Sequence, residues 1–343
     1  MRIALDAMGG DHAPGATVAG ALAASEDGIE ITLVGDEGVI AEEIADLEVG
    51  GLPPTCTIHH ASEIVEMEDS PGAVLRRKRD SSLRVAFELV RAGRADAVVT
   101  MGNSGAALAA GIFVGSRLEG VLRPAITAVL PTAGAPVVLL DVGANVDCKP
   151  EHLLQFALMG TAFAQVGLGR ATPTVGLLAN GTEREKGTDL TRAAADLLAQ
   201  EESLDYRGLM EPGDVFAGGT DVVVTDGWTG NIFLKTAEAT SQQMLAITRE
   251  AARSTLAARA GGLLLRPALK RSLARLDAAE VGGALLLGVD AVTVIGHGSA
   301  EPRAVANAIR TARRLVQDGL LDGVRRALDG GALTESTRTL RGG

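Results

Sequence analysis

Six short stretches gather glycine with small polar side chains: DAMGGD at 6–11, MGNSGA at 101–106, DVGAN at 141–145, NGTEREKG at 180–187, DGWTGN at 226–231 and GHGSAEP at 296–302. Glycine lets a backbone N–H approach a ligand closely, and Asn, Ser or Thr adds a donor without filling the space an anion occupies. One such turn commonly does no more than close a strand-to-helix connection. Six in one chain predict a rim of anion-binding loops. The standard nucleotide patterns are absent from them. In GHGSAE, Glu301 stands where a third glycine belongs, and in GTEREKG, Lys186 precedes Gly187 instead of following it, so neither a dinucleotide fingerprint nor a P-loop is present. Conventional nucleophiles are missing too: there is no G-x-S-x-G elbow, and neither Cys56 nor Cys148 has the setting of a reactive thiolate. No HExxH and no Cys/His cluster occurs, so no metal is expected. A reaction whose attacking group belongs to a substrate fits this pattern.

Each turn follows a run rich in β-branched residues. Nine runs read as strands: RIALDAM, IEITLVG, CTIHHA, ADAVVTMG, AITAVLP, APVVLLDVG, TPTVGLLAN, TDVVVTDG and AVTVIGHG. Between them lie longer helical patterns, such as Leu83, Phe87 and Val90, or Leu153, Phe156, Met159 and Phe163 behind a KPEH start. The alternation predicts an α/β fold, a mostly parallel sheet with helices on both faces. In such a sheet the loops after the strands share the carboxyl edge, so all six turns are expected on one rim. No fixed-period repeat and no low-complexity linker divides the chain, so 1–343 is expected to be a single α/β unit of two interleaved lobes.

The chain is 46% hydrophobic and 2% aromatic, with a formal net charge of −11. Few stacking rings and an acidic balance argue against nucleic acid as a partner. No signal-peptide pattern opens the sequence and no run of about 18 apolar residues occurs, so a cytoplasmic location is expected. Two basic stretches interrupt the acidity. One is RRKRDSSLR at 76–84. The other covers 249–275, where seven Lys and Arg residues stand against Glu250 alone, and Leu265, Leu269, Leu273 and Leu276 form a stripe beside Arg266, Lys270, Arg271 and Arg275. Each is a solvated helix face, for the leucine stripe a dimer contact, or a local positive field for an anionic partner or membrane surface. The segment 249–277 is expected to protrude as a basic amphipathic helix.

DAMGGDHAP at 6–14, SPGAVLRRKRDSSL at 70–83, GNSGA at 102–106, LLDVGANVDCKPEHLLQFALMG at 139–160, NGTEREKGT at 180–188, DVVVTDGWTGNIFLK at 221–235, and GGALLLG with HGSAE in 282–301 together resemble the PlsX-type phosphate acyltransferase family. Trp228 stands where that family usually has Phe. The resemblance implies transfer of a long-chain fatty acyl group from acyl carrier protein to inorganic phosphate, giving acyl phosphate for phospholipid synthesis. It also implies a fold shared with phosphate acetyltransferases and with isocitrate or isopropylmalate dehydrogenases, a homodimer, peripheral contact with membrane lipid, and no cofactor.

Direct attack of phosphate on a thioester carbonyl calls for an anion cradle, an oxyanion donor and a proton carrier. Gly9 and Gly10 are expected to offer amides, with Asp6 and Asp11 ordering their turn and His12 carrying the proton. Lys186 is expected on phosphate or carbonyl. Asn231 is either the oxyanion donor or a helix cap, and Asn103 and Ser104 are phosphate donors or caps. Asp141 and Asn145 position Lys186 or cap the KPEH helix, while His297 and Ser299 complete the rim. An acidic carrier protein needs a positive patch, either Arg76, Arg77 and Lys78 or Arg266, Lys270 and Arg271, the second also suiting lipid. Two rival readings are a metal- and NAD-dependent decarboxylating dehydrogenase on the same fold and a non-catalytic scaffold for carrier protein or lipid. The first needs carboxylates converging on Mg²⁺ that the sequence does not display.

Overall fold

The computed structural model describes residues 1–47, 50–274 and 282–330, with residues 269–274 described by their backbone. The side chains of Lys270 and Arg271, and of most of the leucine stripe, therefore lie outside the described residues. In chain order the elements are β1 (Arg2–Asp6), α1 (Gly15–Ser25), β2 (Glu30–Gly35), α2 (Glu37–Asp46), β3 (Cys56–His60), α3 (Ala73–Arg76), α4 (Ser82–Arg91), β4 (Ala97–Thr100), α5 (Ser104–Ala110), β5 (Ala125–Leu130), β6 (Val137–Leu140), α6 (Pro150–Leu168), β7 (Thr174–Leu178), α7 (Asp189–Gln200), β8 (Asp205–Met210), α8 (Pro212–Ala217), β9 (Val222–Val224), α9 (Gly227–Ala251), α10 (Leu256–Ala274), β10 (Ala284–Leu287), β11 (Val292–Ile295), α11 (Pro302–Gln317) and α12 (Leu320–Gly330). All the strands join one 11-stranded sheet in the order β3-β2-β1-β4-β11-β10-β5-β6-β9-β7-β8.

Strand residues alternate between two apolar layers. Ile3, Leu5, Val138 and Leu140 face Val18, Phe156, Val305 and Val324 of α1, α6, α11 and α12. Ala4, Val98 and Leu139 face Leu83, Phe87 and Ala107 of α4 and α5. Burial on both faces is why these strands read as continuous apolar runs. Small residues then let the helices close in: a Cβ added to Gly20 of α1 would sit 2.5 Å from the Val305 Cβ.

Most pairings are parallel, yet the sheet reverses direction at its centre. β10 runs antiparallel to both β11 and β5, and β5 runs antiparallel to β6. The cause is connection length. Residues 131–136 are too few to cross over the sheet, so β5 and β6 form a hairpin. The six glycine turns therefore do not share one rim, contrary to expectation. Those after β1, β4 and β11 open on one edge, and those after β6, β7 and β9 on the opposite edge.

Only Gly227 and Gly230 of α9 are buried; Phe233 and Leu234 pack on the core, Phe233 stacking on Phe216 of α8, and the helix leaves the body beyond them. Trp228, Ile232, Met244 and Ile247 on α9, and Leu256, Leu263, Leu264 and Leu265 on α10, are exposed.

Candidate active site

The first set of loops is built on Asp6. Its buried carboxyl ends β1 and accepts the Thr100 hydroxyl at 2.8 Å and the Met8 N–H at 3.3 Å, with Ser82 and the Gly9 N–H as further donors. Burial raises its pKa against the pull of those donors. Thr100 Oγ1 also accepts the Gly102 N–H at 3.0 Å, so one hydroxyl joins two glycine turns. A Cβ on Gly9 would fall 2.5 Å from Asp6 Oδ2, which leaves room for glycine alone. The Asp11 N–H donates to the Gly298 carbonyl at 2.8 Å, and His297 Nδ1 and Ser299 Oγ lie 2.9 Å apart, drawing in the turn after β11.

A strap of residues 61–72 lies beside this set. Asn103 caps α5 by accepting the Ala106 N–H at 3.0 Å and points its amide N–H groups at the Met67 and Asp69 carbonyls, each at 2.9 Å. From the other side, Lys78 donates to the Ile64 carbonyl and pairs with Asp69, while Asp80 accepts from Ser62 N–H at 2.9 Å and Ser62 Oγ at 2.6 Å. Those contacts hold both carboxyls below the usual range. Lys78 is thus turned inward as a strut, and Arg76, Arg77 and Arg79 remain outward.

The second set is built on Asp141, fully buried at the end of β6. Oδ1 accepts the N–H groups of Ile126 (3.0 Å), Ala144 (3.0 Å) and Gly143 (3.3 Å), and Oδ2 accepts Asn145 N–H (2.7 Å) and Nδ2–H (2.9 Å). Burial nevertheless pushes its pKa up. α9 presses on this turn: Gly227 N–H donates to Asn145 O at 2.8 Å, and Asp226 caps the helix by accepting from Thr229 N–H at 2.8 Å. Asn231, one turn in, comes to lie beside Gly143, whose added Cβ would be 3.6 Å from Asn231 Cγ. Lys186, on the turn after β7, is exposed and bound to Glu183 at 2.9 Å, a contact that raises its pKa and keeps it cationic. Cys148 is no nucleophile: burial and Asp141 push its thiol up to about 12.

Of the residues expected to meet the reacting atoms, His12 is exposed on the first edge, and Lys186 and Asn231 are on the second. Gly9, Gly10, Asp11, Asn103, Ser104, His297 and Ser299 are gathered in the first set. Asp6, Asp141, Asn145 and the Asn103 amide are engaged in hydrogen bonds within the loop sets and order their turns. Thr100 was not foreseen. Its signal is a concealed similarity between ADAVVTMGNSGA at 95–106 and TDVVVTDGWTGN at 220–231, which aligns Thr100 with Thr225, Gly102 with Gly227 and Gly105 with Gly230. The aligned aspartates do the same work. Asp96 accepts the Arg2 N–H at 2.8 Å and Asp221 the Thr174 N–H at 3.0 Å, each fixing the start of the neighbouring strand. Among the described residues, no group of three His, Cys, Asp or Glu side chains is placed to hold a metal, and no helix is long and apolar enough to cross a membrane.

The mixed sheet with paired loop sets defines an α/β fold of the phosphotransacylase kind. It is similar to a phosphotransacetylase from Streptococcus pyogenes (TM-score 0.59, 17% identity, 93% of this chain and 94% of that one) and to a branched-chain phosphotransacylase from Enterococcus faecalis V583 (TM-score 0.55, 15% identity, 92% and 99%). In sequence, residues 1–322 match the model of a family described as fatty acid synthesis protein. Proteins called phosphate acyltransferase from Anaeromyxobacter sp. (strain Fw109-5) and Myxococcus xanthus are 50% and 48% identical, covering 95% and 93% of this chain and 90% and 91% of their own. The chain belongs to this family, the PlsX-type phosphate acyltransferases, and is an acyl group transferase.

Proposed function

We propose that the chain transfers a long-chain fatty acyl group from the thioester of acyl carrier protein to inorganic phosphate, yielding acyl phosphate for phospholipid synthesis. The observation that carries this reading is the 50% identity, over 326 residues, to a relative called phosphate acyltransferase. A phosphate oxygen attacks the thioester carbonyl, the tetrahedral intermediate collapses, and the carrier's sulfur leaves and takes up the proton that phosphate gives up. Asn231 beside the Gly143 turn is the oxyanion donor, with Lys186 as a nearby cation. Gly9, Gly10, Ser104, His297 and Ser299 face the arriving donor. The outward Arg76 and Arg77, next to the first loop set, suit an acidic carrier protein.

The exposed apolar residues of α9 and α10, with Arg266, support a homodimer and peripheral contact with membrane lipid from the cytoplasmic side. The centrally reversed sheet is consistent with kinship of fold to isocitrate and isopropylmalate dehydrogenases. Incubating purified protein with acyl-carrier thioester, with and without phosphate, tests the activity. Thioester loss and acyl phosphate are expected only with phosphate. Loss independent of phosphate, or none, refutes the reading. Asn231→Ala and Lys186→Ala are each expected to lower turnover ~100-fold, as removal of one preorganised donor does.

A further inference from the structure

Resting on acyl transfer to phosphate as proposed above, we propose that Lys235 is a phosphate-binding residue of the second loop set. One exposed face of α9 presents Asn231, Ile232, Lys235, Thr236, Ala239 and Thr240 to a shallow open space of about 390 Å³. Lys235 stands four residues beyond Asn231, so their Cβ atoms are ~6 Å apart on one helix face, and a phosphate held by Lys235 lies next to the carbonyl oxygen that Asn231 receives. The helix start is locked to the Asp141 turn through Gly227 and Asn145, which fixes where this face points.

Charge singles out Lys235 from its neighbours. Lys186, Lys78 and Arg192 are each ion-paired, to Glu183, Asp69 and Asp189. Lys235 has no ion pair or hydrogen-bond partner among the described residues, and its side chain is exposed to that open space. A free ammonium beside an amide donor provides charge-assisted hydrogen bonds to a phosphate dianion, and no internal partner has to be displaced first. Past Lys235 the same face carries Thr236, Ala239 and Thr240, small side chains that leave the bound phosphate free to attack a carbonyl carbon brought against it.

Two measurements test this. In the first, initial rates of acyl-phosphate formation are followed against phosphate concentration for wild type, Lys235→Met and Lys235→Arg. Losing one charge-assisted contact is expected to raise the KM for phosphate ~10–100-fold in Lys235→Met, with the KM for the thioester donor unchanged and Lys235→Arg recovering part of the loss. In the second, an amine-directed acetylating reagent is applied to the wild-type protein in inorganic phosphate or in chloride of equal ionic strength, and modification of Lys235 is read by peptide mass spectrometry. Phosphate is expected to slow it several-fold. Phosphate KM within twofold of wild type in Lys235→Met, or equal modification rates in the two salts, overturns the assignment. A wild-type chain that makes no acyl phosphate refutes the activity itself, so the two failures are distinguishable.

Discussion

Gly230→Ala tests how α9 delivers Asn231. A Cβ at this position would fall 1.9 Å from the Asp141 carbonyl oxygen, 2.9 Å from Thr225 Cγ2 and 3.0 Å from the Asp141 carbonyl carbon. The obstacle is backbone. It is held by the Asp141 N–H on Thr225 O (3.0 Å) and the Thr225 N–H on Leu140 O (2.6 Å), which pair β6 with β9, so it has no rotamer into which to retreat. Ordinary contact requires the gap to open by roughly 1–1.5 Å, an overpacking cost of about 1–3 kcal/mol. Alanine's better helix propensity returns about 1 kcal/mol. The net loss of stability is therefore small, about 0–2 kcal/mol, and the main effect is displacement of Asn231 by the same ångström or more. A misplacement of about 1 Å costs on the order of 10²-fold in rate. Acyl-phosphate formation and urea denaturation, measured on Gly230→Ala and on Gly261→Ala of α10, separate the two effects. Nothing lies within 4 Å of the Gly261 Cβ position, so that variant keeps wild-type turnover. If Gly230→Ala also keeps wild-type turnover, the α9 turn does not position the reacting groups.

Asp141→Ala leaves four backbone N–H groups and the Asn145 amide without their acceptor. At about 1–3 kcal/mol for each buried donor that water fails to reach, a loss of at least about 3 kcal/mol is expected in urea titration, and an unchanged midpoint would contradict the hydrogen-bond network. Thr100→Val removes the hydroxyl between Asp6 and Gly102 and is expected to cost about 1–2 kcal/mol, with Thr100→Ser restoring most of it in the same titration. The strap over the first loop set is acid-labile. Asp69 and Asp80 have pKa values lowered from 3.8 in the fold, so the stability they contribute is present above that value and lost as pH falls through the lowered ones. Limited proteolysis within 61–72 is expected to accelerate below about pH 4 in wild type and at neutral pH in Lys78→Met. Asp6 and Asp141, raised by burial, act in the opposite sense, their ionisation costing stability as pH rises through their folded values.

Most expected strands were legible because they are buried on both faces and therefore nearly continuous apolar runs, the edge strand β3 with its CTIHH excepted. β8 and β10 were not. β8 carries Arg207 and a positive-φ Gly208 at the sheet's edge, and the ALLL of β10 reads equally well as helix. Missing β10 concealed the central reversal, and with it the division of the turns between two edges. The length of the 131–136 connection held that information all along. Among site residues, glycine and asparagine were found from turn chemistry, since a positive φ or a cap shows in local sequence. Whether an acidic side chain at a strand end faces a ligand or its own turn depends on burial, which has no local signature. Lys78 was read as a surface cation for the same reason.

Twist bears on how two edges could serve one reaction. From β4 to β9 the sheet takes five strand steps, and at roughly 20–25° each the strand direction turns by about 100–125°. At that twist the directions of β4 and β9 differ by about 55–80° instead of 180°, with about 24 Å of sheet between them. Charge then divides the labour. The first set carries Asp11, Glu66 and two histidines beside an outward arginine turn, whereas the second carries Lys235, unpaired among the described residues, beside Asn231, with Lys186 held by Glu183. A dianion is repelled by the former and held by the latter, while an acidic carrier is drawn to the arginines. The chain repeats one strand-end design, a buried aspartate beneath a glycine turn, and the two copies differ in the charges placed around them. On that reasoning phosphate waits at the second set and the thioester is brought across from the first, which requires that the charge-removing Lys235→Met act on phosphate saturation and that Arg76→Ala and Arg77→Ala act on saturation by the carrier.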